Sequence, residues 1–289
     1  MAESPAHKFG QVIGSLLESV VRPPLEQFCE KQGLYLDYQK KNRRARRGRK
    51  VSWGDSYGNF HDLDFVIERN GSDYEIGQPV AFIEAAWRRH TKHSRNKAQE
   101  IQGAILPLAE KYRWNNPFLG AVLAGVFTNG SLEQPRSQGF QVLYFPYETL
   151  TGSFASEEID IRFDETTPDD EFRKSAEQIV STPDEVMQQI KKHLIQANSI
   201  EIAQFFAALD ARLGRSIQKV LVIPLYGRAN EFTSIENAIK FLDAHAIYEG
   251  SGEFRKYEIL VEFSNGDKVD AFFNTKQKVR EFLSFVSTQ

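Results

Sequence analysis

A chain of 289 residues, 41% apolar and 26% charged, has the make-up of a soluble globular protein with room for about two domains. Its formal net charge of −3 excludes a uniformly basic coat, but the cations are concentrated: Lys40 to Lys50 (KKNRRARRGRK) holds eight in eleven residues and no acid. One cysteine, Cys29, excludes a disulfide framework and fits a reducing, cytoplasmic compartment, and no run reaches the ~18 apolar residues of a membrane helix.

Along the chain, Phe9, Val12, Ile13, Leu16, Leu17, Val20 and Val21 recur at helical spacing. Pro23-Pro24 is expected to end that helix, with a second starting near Leu25. The basic run and a turn-rich patch, SWGDSYGNFH, follow. DLDFVIE (62–68) reads as a strand with Leu63, Phe65 and Ile67 on one face and Asp62, Asp64 and Val66 on the other. PVAFIEAAW (79–87) is the next strand. A helix is expected from the cap Ser94 to about Tyr112, with Ala98, Ile101, Ile105 and Leu108 as its apolar stripe. LGAVLAGVFT (119–128) and FQVLYFPY (140–147) read as buried strands. Residues 157–185 hold eleven carboxylates against three cations, in a segment expected to be helical. Beyond residue 199 the pattern is strand, helix, hairpin with an Asn265-Gly266 turn, and helix. No internal repeat is evident. These readings divide the chain into an α/β core at 1–165, a helical connector at 166–198 and a smaller α/β unit at 199–289.

The chemistry gathers where the apolar run PVAFI stops at Glu84. Asp62 and Asp64 share a strand face, and nineteen residues lie between Asp64 and Glu84, enough for a turn and two strands. Carboxylates brought side by side repel and are costly to bury unless a cation neutralises them. The hard ion Mg²⁺ is the usual partner for carboxylate, carbonyl and water oxygens. Behind Glu84 come Arg88, Arg89, His90, Lys92, His93, Arg95 and Lys97, placed to hold phosphates. The pattern therefore predicts metal on one side and a phosphodiester backbone on the other.

In Asp64, the hairpin to Glu84 and the amphipathic helix behind it, the chain resembles the PD-(D/E)xK nuclease superfamily, whose fold is the restriction-endonuclease-like one. The later stretch GVFTNGSLEQPRSQGFQVLYFPYETL is similar to the strand–helix–strand part of that core, and the resemblance spans roughly residues 8 to 150. It implies a mixed sheet flanked by helices, with Asp64 and Glu84 as metal ligands and Glu18, on the first helix, as a further one. It also implies a lysine two residues after the glutamate, where this chain has Ala86. Some members supply that lysine from the following helix, which makes Lys97, or Lys92 just before the helix, the candidate.

The expectation that follows is a Mg²⁺-dependent endonuclease acting on DNA, of the type II restriction kind. Asp64 and Glu84, with Asp62 or Glu18, would hold the metal. Arg43, Arg44, Arg46, Arg47, Arg49 and Lys50, with Arg88 and Arg89, would grip the DNA. Because cutting both strands calls for two sites, a homodimer is expected. The alternative is a catalytically silent module of the same fold that binds DNA, which Ala86 favours.

Overall fold

The computed structural model describes residues 5–89, 94–163, 167–214, 216–224, 228–244, 256–264 and 268–287. The chain divides into two units, residues 1–209 and 210–289.

The first unit opens with one helix, α1 (Pro5–Gln32), which runs straight through Pro23-Pro24 where a break was expected. An interior proline costs ~3 kcal/mol or more. Each large apolar side chain taken fully out of water returns roughly 1.5–3 kcal/mol. Leu16, Leu17, Val20 and Val21 before the prolines, and Leu25 and Cys29 after them, are all buried, so packing on both sides carries the helix across. The chain turns at Gly33, whose φ of +66° is in the left-handed region. It then enters β1 (Tyr35–Tyr38), which the sequence pattern did not reveal.

β2 (Val51–Gly54) and β3 (Phe60–Leu63) pair as an antiparallel ribbon of their own. β4 (Phe65–Arg69) and β5 (Gln78–Arg88) follow. After α2 (Ser94–Lys111) come β6 (Phe118–Gly125), α3 (Asn129–Ser137), β7 (Phe140–Pro146) and α4 (Tyr147–Ala155). The central sheet has the order β1-β4-β5-β6-β7. It is mixed: β1, β4 and β5 pair antiparallel, while β5, β6 and β7 pair parallel through the crossover helices α2 and α3. Ile101, Ile105 and Leu108 of α2 join Val66, Phe82, Ala86, Ala121, Leu123 and Val142 of the sheet in one buried cluster. α1 packs against β1 and β5.

The strand expected at 62–68 is interrupted. Asp64 stands in a bend between β3 and β4, and Leu63 and Val66 enter the same cluster although strict alternation would separate them. A bend resets the period-two alternation, so Asp62 and Asp64 do not share a face.

The expected connector belongs to the first unit. α5 (Asp169–Ser181) buries Phe172, Ala176 and Ile179 and packs on α1, where the rings of Phe9 and Phe172 lie 6.0 Å apart. α6 (Asp184–Ala197) buries Ile190 and Leu194 and packs on α4. The division into units falls at 209/210, inside α7 (Ser199–Leu213), rather than at 199. Both helices of this acidic segment, α5 and α6, are amphipathic, and their apolar stripes need a neighbour.

The second unit is an antiparallel sheet, β11-β10-β8-β9, with α8 (Ile235–Ala244) and α9 (Lys276–Ser287). Its strands are β8 (Ile217–Pro224), β9 (Asn230–Phe232), β10 (Tyr257–Phe263) and β11 (Lys268–Phe273), and the expected Asn265-Gly266 turn lies outside the described residues. The unit contains an internal repeat that the sequence did not disclose. Strand, strand and helix occur twice, the two central strands β8 and β10 pair with each other, and Val222 lies opposite Ile259 at the centre. Val220 pairs with Phe232 as Tyr257 pairs with Phe273. Ser234 and Thr275 each accept a hydrogen bond from the backbone N–H three residues on, at the start of α8 and α9. Phe232–Phe241 and Phe273–Phe282 repeat the same ring contact, at 5.3 and 5.1 Å and 41° and 43°. Equivalent positions keep apolarity and capping chemistry but few identities, which is why letter-by-letter comparison misses them.

Candidate active site

Asp64 is held from three directions. Gln39, just past β1, donates through Nε2 to Oδ1 at 2.9 Å and through its backbone N–H to the Asp64 carbonyl at 3.2 Å. The Ala85 N–H of β5 donates to Oδ2 at 2.8 Å. Pairing of Phe65 with Ile83 sets Asp64 across from Glu84 on the neighbouring strand. Asp64 is buried and Glu84 half-buried.

The two carboxyl groups share a hydrogen bond, and Glu84 is held well above the ordinary glutamate range. Burial is the largest cause, the Asp64 charge and hydrogen bond come next, Lys97 opposes them and Glu18 adds to them. Such a pair retains a proton when no other cation is at hand, because two adjacent carboxylates in a poorly solvated place do not both ionise.

Glu18 approaches from α1 and is also pushed up, by burial first and then by the charge of Asp64, with Lys40 and Arg22 pulling it back. Lys97 reaches in from the first turns of α2, where its Nζ lies 3.2 Å from Glu100. Glu18, Asp64, Glu84 and Lys97, spread over eighty positions, thus form one electrostatic cluster. Among the described residues, no three His, Cys, Asp or Glu side chains converge tightly enough to hold an ion by themselves. The donor set is a close pair of carboxylates with a third within electrostatic reach. That composition fits a hard divalent ion that completes its shell with water and carbonyl oxygen, as Mg²⁺ does.

Ala86, two residues after Glu84, is buried in the cluster to which α2 contributes Ile101, Ile105 and Leu108. A lysine at that position would have to place its stem in this apolar layer.

Other predicted residues lie elsewhere. Asp62 is on the β2–β3 ribbon, where it pairs with Lys50 and accepts from Ser52 Oγ at 2.8 Å, and the Lys50 ammonium holds it below the ordinary range. It is not part of the carboxylate cluster. Lys92 falls outside the described residues, as do 90, 91 and 93.

The basic run divides by role. Arg43 is fully buried: Nε donates to the Ser72 carbonyl, Nη1 to Asp37 and Glu68, and Nη2 to Glu68 and the Glu75 carbonyl. Arg46 is turned inward onto Asp37 at 2.8 Å. These two are corrected from DNA contacts to internal ties, because Asp37 and Glu68 are buried and need cations beside them. Arg44, Arg47, Arg49 and Lys50 are exposed. Arg88 is half-buried and faces Glu100 at 3.6 Å, and the guanidinium of Arg89 lies over the Phe172 ring at 4.2 Å.

Three residues near the cluster were not anticipated: Gln39, which clamps Asp64, and Lys40 and Arg22, which act on Glu18. Lys40 has a left-handed backbone, φ +69°, uncommon for a residue with a side chain and frequent where a turn serves a site. The eight-cation run drew attention to Lys40 only as one of many; nothing in its letters singles out the first.

No family model matches the chain, and no curated protein matches it. Among solved structures, it is similar to a crystal structure of a protein of unknown function, AF1548, at 13% identity and a TM-score of 0.29, over 65% of this chain and 99% of that one.

Proposed function

We propose that the first unit is a restriction-endonuclease-like core of the PD-(D/E)xK kind and that the protein is a Mg²⁺-dependent DNA endonuclease of the type II restriction class. The observation that carries this reading is the cluster of Glu18, Asp64, Glu84 and Lys97, drawn from α1, the bend between β3 and β4, β5 and α2. Asp64 and Glu84 hold the ion, and Glu18 supports it from α1. Bound there, Mg²⁺ supplies a more acidic water and offsets charge on the phosphate under attack. Gln39 and the Ala85 N–H fix the Asp64 carboxylate so that it does not reorient. Lys97 orients the attacking water and balances the negative charge of the carboxylates. The exposed cations Arg44, Arg47, Arg49 and Lys50 meet the DNA backbone. A homodimer supplies the two active sites for the two strands, and the protein acts in a reducing cytoplasmic setting.

The lysine-less strand favours a second reading, a silent DNA-binding module with the same fold. Purified protein incubated with supercoiled plasmid, with Mg²⁺ or with EDTA, separates the two. The nuclease reading expects metal-dependent linear products, abolished by Glu84→Ala and reduced at least a hundredfold by Lys97→Ala. An intact plasmid that is nevertheless retarded in a gel would establish the silent module instead.

A further inference from the structure

Helix α1 carries a second feature one turn beyond Glu18. Pro23 and Pro24 have no N–H, so the Ser19 carbonyl loses its partner four residues on, and the Val20 carbonyl loses those both three and four residues on. Both residues line a cleft of about 570 Å³ whose other walls include Arg22, Lys191, Lys192 and Gln196. Three cations and no carboxylate line it. Neither Lys191 nor Lys192 has an ion-pair partner among the described residues, while Arg22 is only 3.8 Å from the exposed Glu26.

The cleft shares walls with two others. Through Ser19 and Arg22 it meets a cavity of about 370 Å³ that contains Glu18, Gln39 and Lys40, the flank of the carboxylate cluster. Through Val20, Pro23, Pro24 and Ile195 it meets an apolar pocket of about 200 Å³, walled also by Ile202 and Phe206. Side by side on the first unit come the cavity holding Glu18, a cleft lined by three cations, and an apolar slot. Cations match phosphates, and an apolar slot with an aromatic wall matches the face of a base.

We propose that this cleft is a nucleotide subsite for the strand being cut, with phosphates on Arg22, Lys191 and Lys192 and one unpaired base in the pocket between Pro24, Ile195 and Phe206. The subsite rests on the nuclease reading, because it places a flanking nucleotide beside the scissile phosphate. It makes a single-stranded segment, rather than an undistorted duplex, the ligand at this point.

Fluorescence anisotropy of a labelled single-stranded DNA oligonucleotide with the full chain in EDTA tests it. Lys191→Glu with Lys192→Glu should weaken binding at least tenfold and flatten the slope of log affinity against log salt by about 1.4, from ≈ 0.7 for each of two phosphate contacts on a single strand. Ile195→Trp, filling the pocket from a partly exposed position, should weaken binding several-fold and leave the slope alone. Wild-type affinity and slope in the double charge reversal, with its melting temperature unchanged, would overturn the subsite. So would a result in which adenosine monophosphate binds and the oligonucleotide does not, which would make the cleft a site for free nucleotides. The two readings fail separately. Oligonucleotide binding that depends on Lys191 and Lys192 without plasmid cleavage removes the nuclease and keeps the subsite; cleavage that ignores both lysines does the reverse.

Discussion

At Glu84, burial, the Asp64 carboxylate and the Glu18 charge all favour the protonated form, and only Lys97 resists them. The sign of the consequence follows from proton counting. Between the ordinary glutamate range and the raised native value, the folded chain holds a proton that the unfolded chain has released. Stability therefore falls as pH rises through that window and levels off above it. In metal-free protein, the melting temperature should decline across the window, and Glu84→Gln, which has no charge to bury, should flatten most of that decline, leaving the part due to Glu18, and raise stability at its upper end. Thermal melts of both proteins in EDTA from pH 4 to 9 check this; parallel curves would show that folding does not raise Glu84 above the ordinary glutamate range. Added Mg²⁺ should stabilise the wild type more at the upper end, since the ion takes the deprotonated form.

Among elements, the loop from Gln39 to Lys50 reads in sequence as one stripe of charge, yet the fold splits it. Arg43 and Arg46 hold the loop onto β1 and β4 through Asp37 and Glu68, and Gly77 N–H completes the Glu68 carboxylate at 2.6 Å. Arg44, Arg47 and Arg49 remain outside. Arg43→Met should lower unfolding free energy by ~3–5 kcal/mol in denaturant titration, because it strands buried carboxylates. The triple change Arg44→Ala, Arg47→Ala, Arg49→Ala should barely alter stability. It should instead reduce the salt dependence of duplex binding by up to ~0.9 per lost contact. Equal losses of stability in both variants would refute this division of labour. The loop also delivers Gln39 to Asp64, so the ion network that anchors the loop supports the carboxylate cluster from behind.

For the whole molecule, each of the two units carries its own apolar cluster, and the C-terminal one is built twice over. Leu242 on α8 and Leu283 on α9 are equivalent by the repeat, and both are buried. Leu242→Ala and Leu283→Ala should each destabilise the second unit by ~2–5 kcal/mol. The two losses should be similar, since the flanking Phe232–Phe241 and Phe273–Phe282 contacts match. Denaturant unfolding followed by circular dichroism measures both, and a silent change at one position beside a large one at the other would contradict the equivalence.

The sequence by itself determined the elements whose periodicity is strong and whose partners are near. β5 with Glu84 at its middle, α2 with its Ala98–Ile101–Ile105–Leu108 stripe, and β6 and β7 were all legible, as was a mixed α/β core, because local apolar spacing fixes which face must be covered. Tertiary structure decided whatever depends on a partner far along the chain. It kept α1 whole across two prolines, bent the strand at Asp64 so that Asp62 left the cluster, and folded the acidic helices into the first unit. It turned Arg43 inward toward Glu68, twenty-five residues away, and brought Gln39 an equal distance to Asp64. Spacing along a chain reports which residues share a face, whereas burial and charge pairing are settled only when the faces meet.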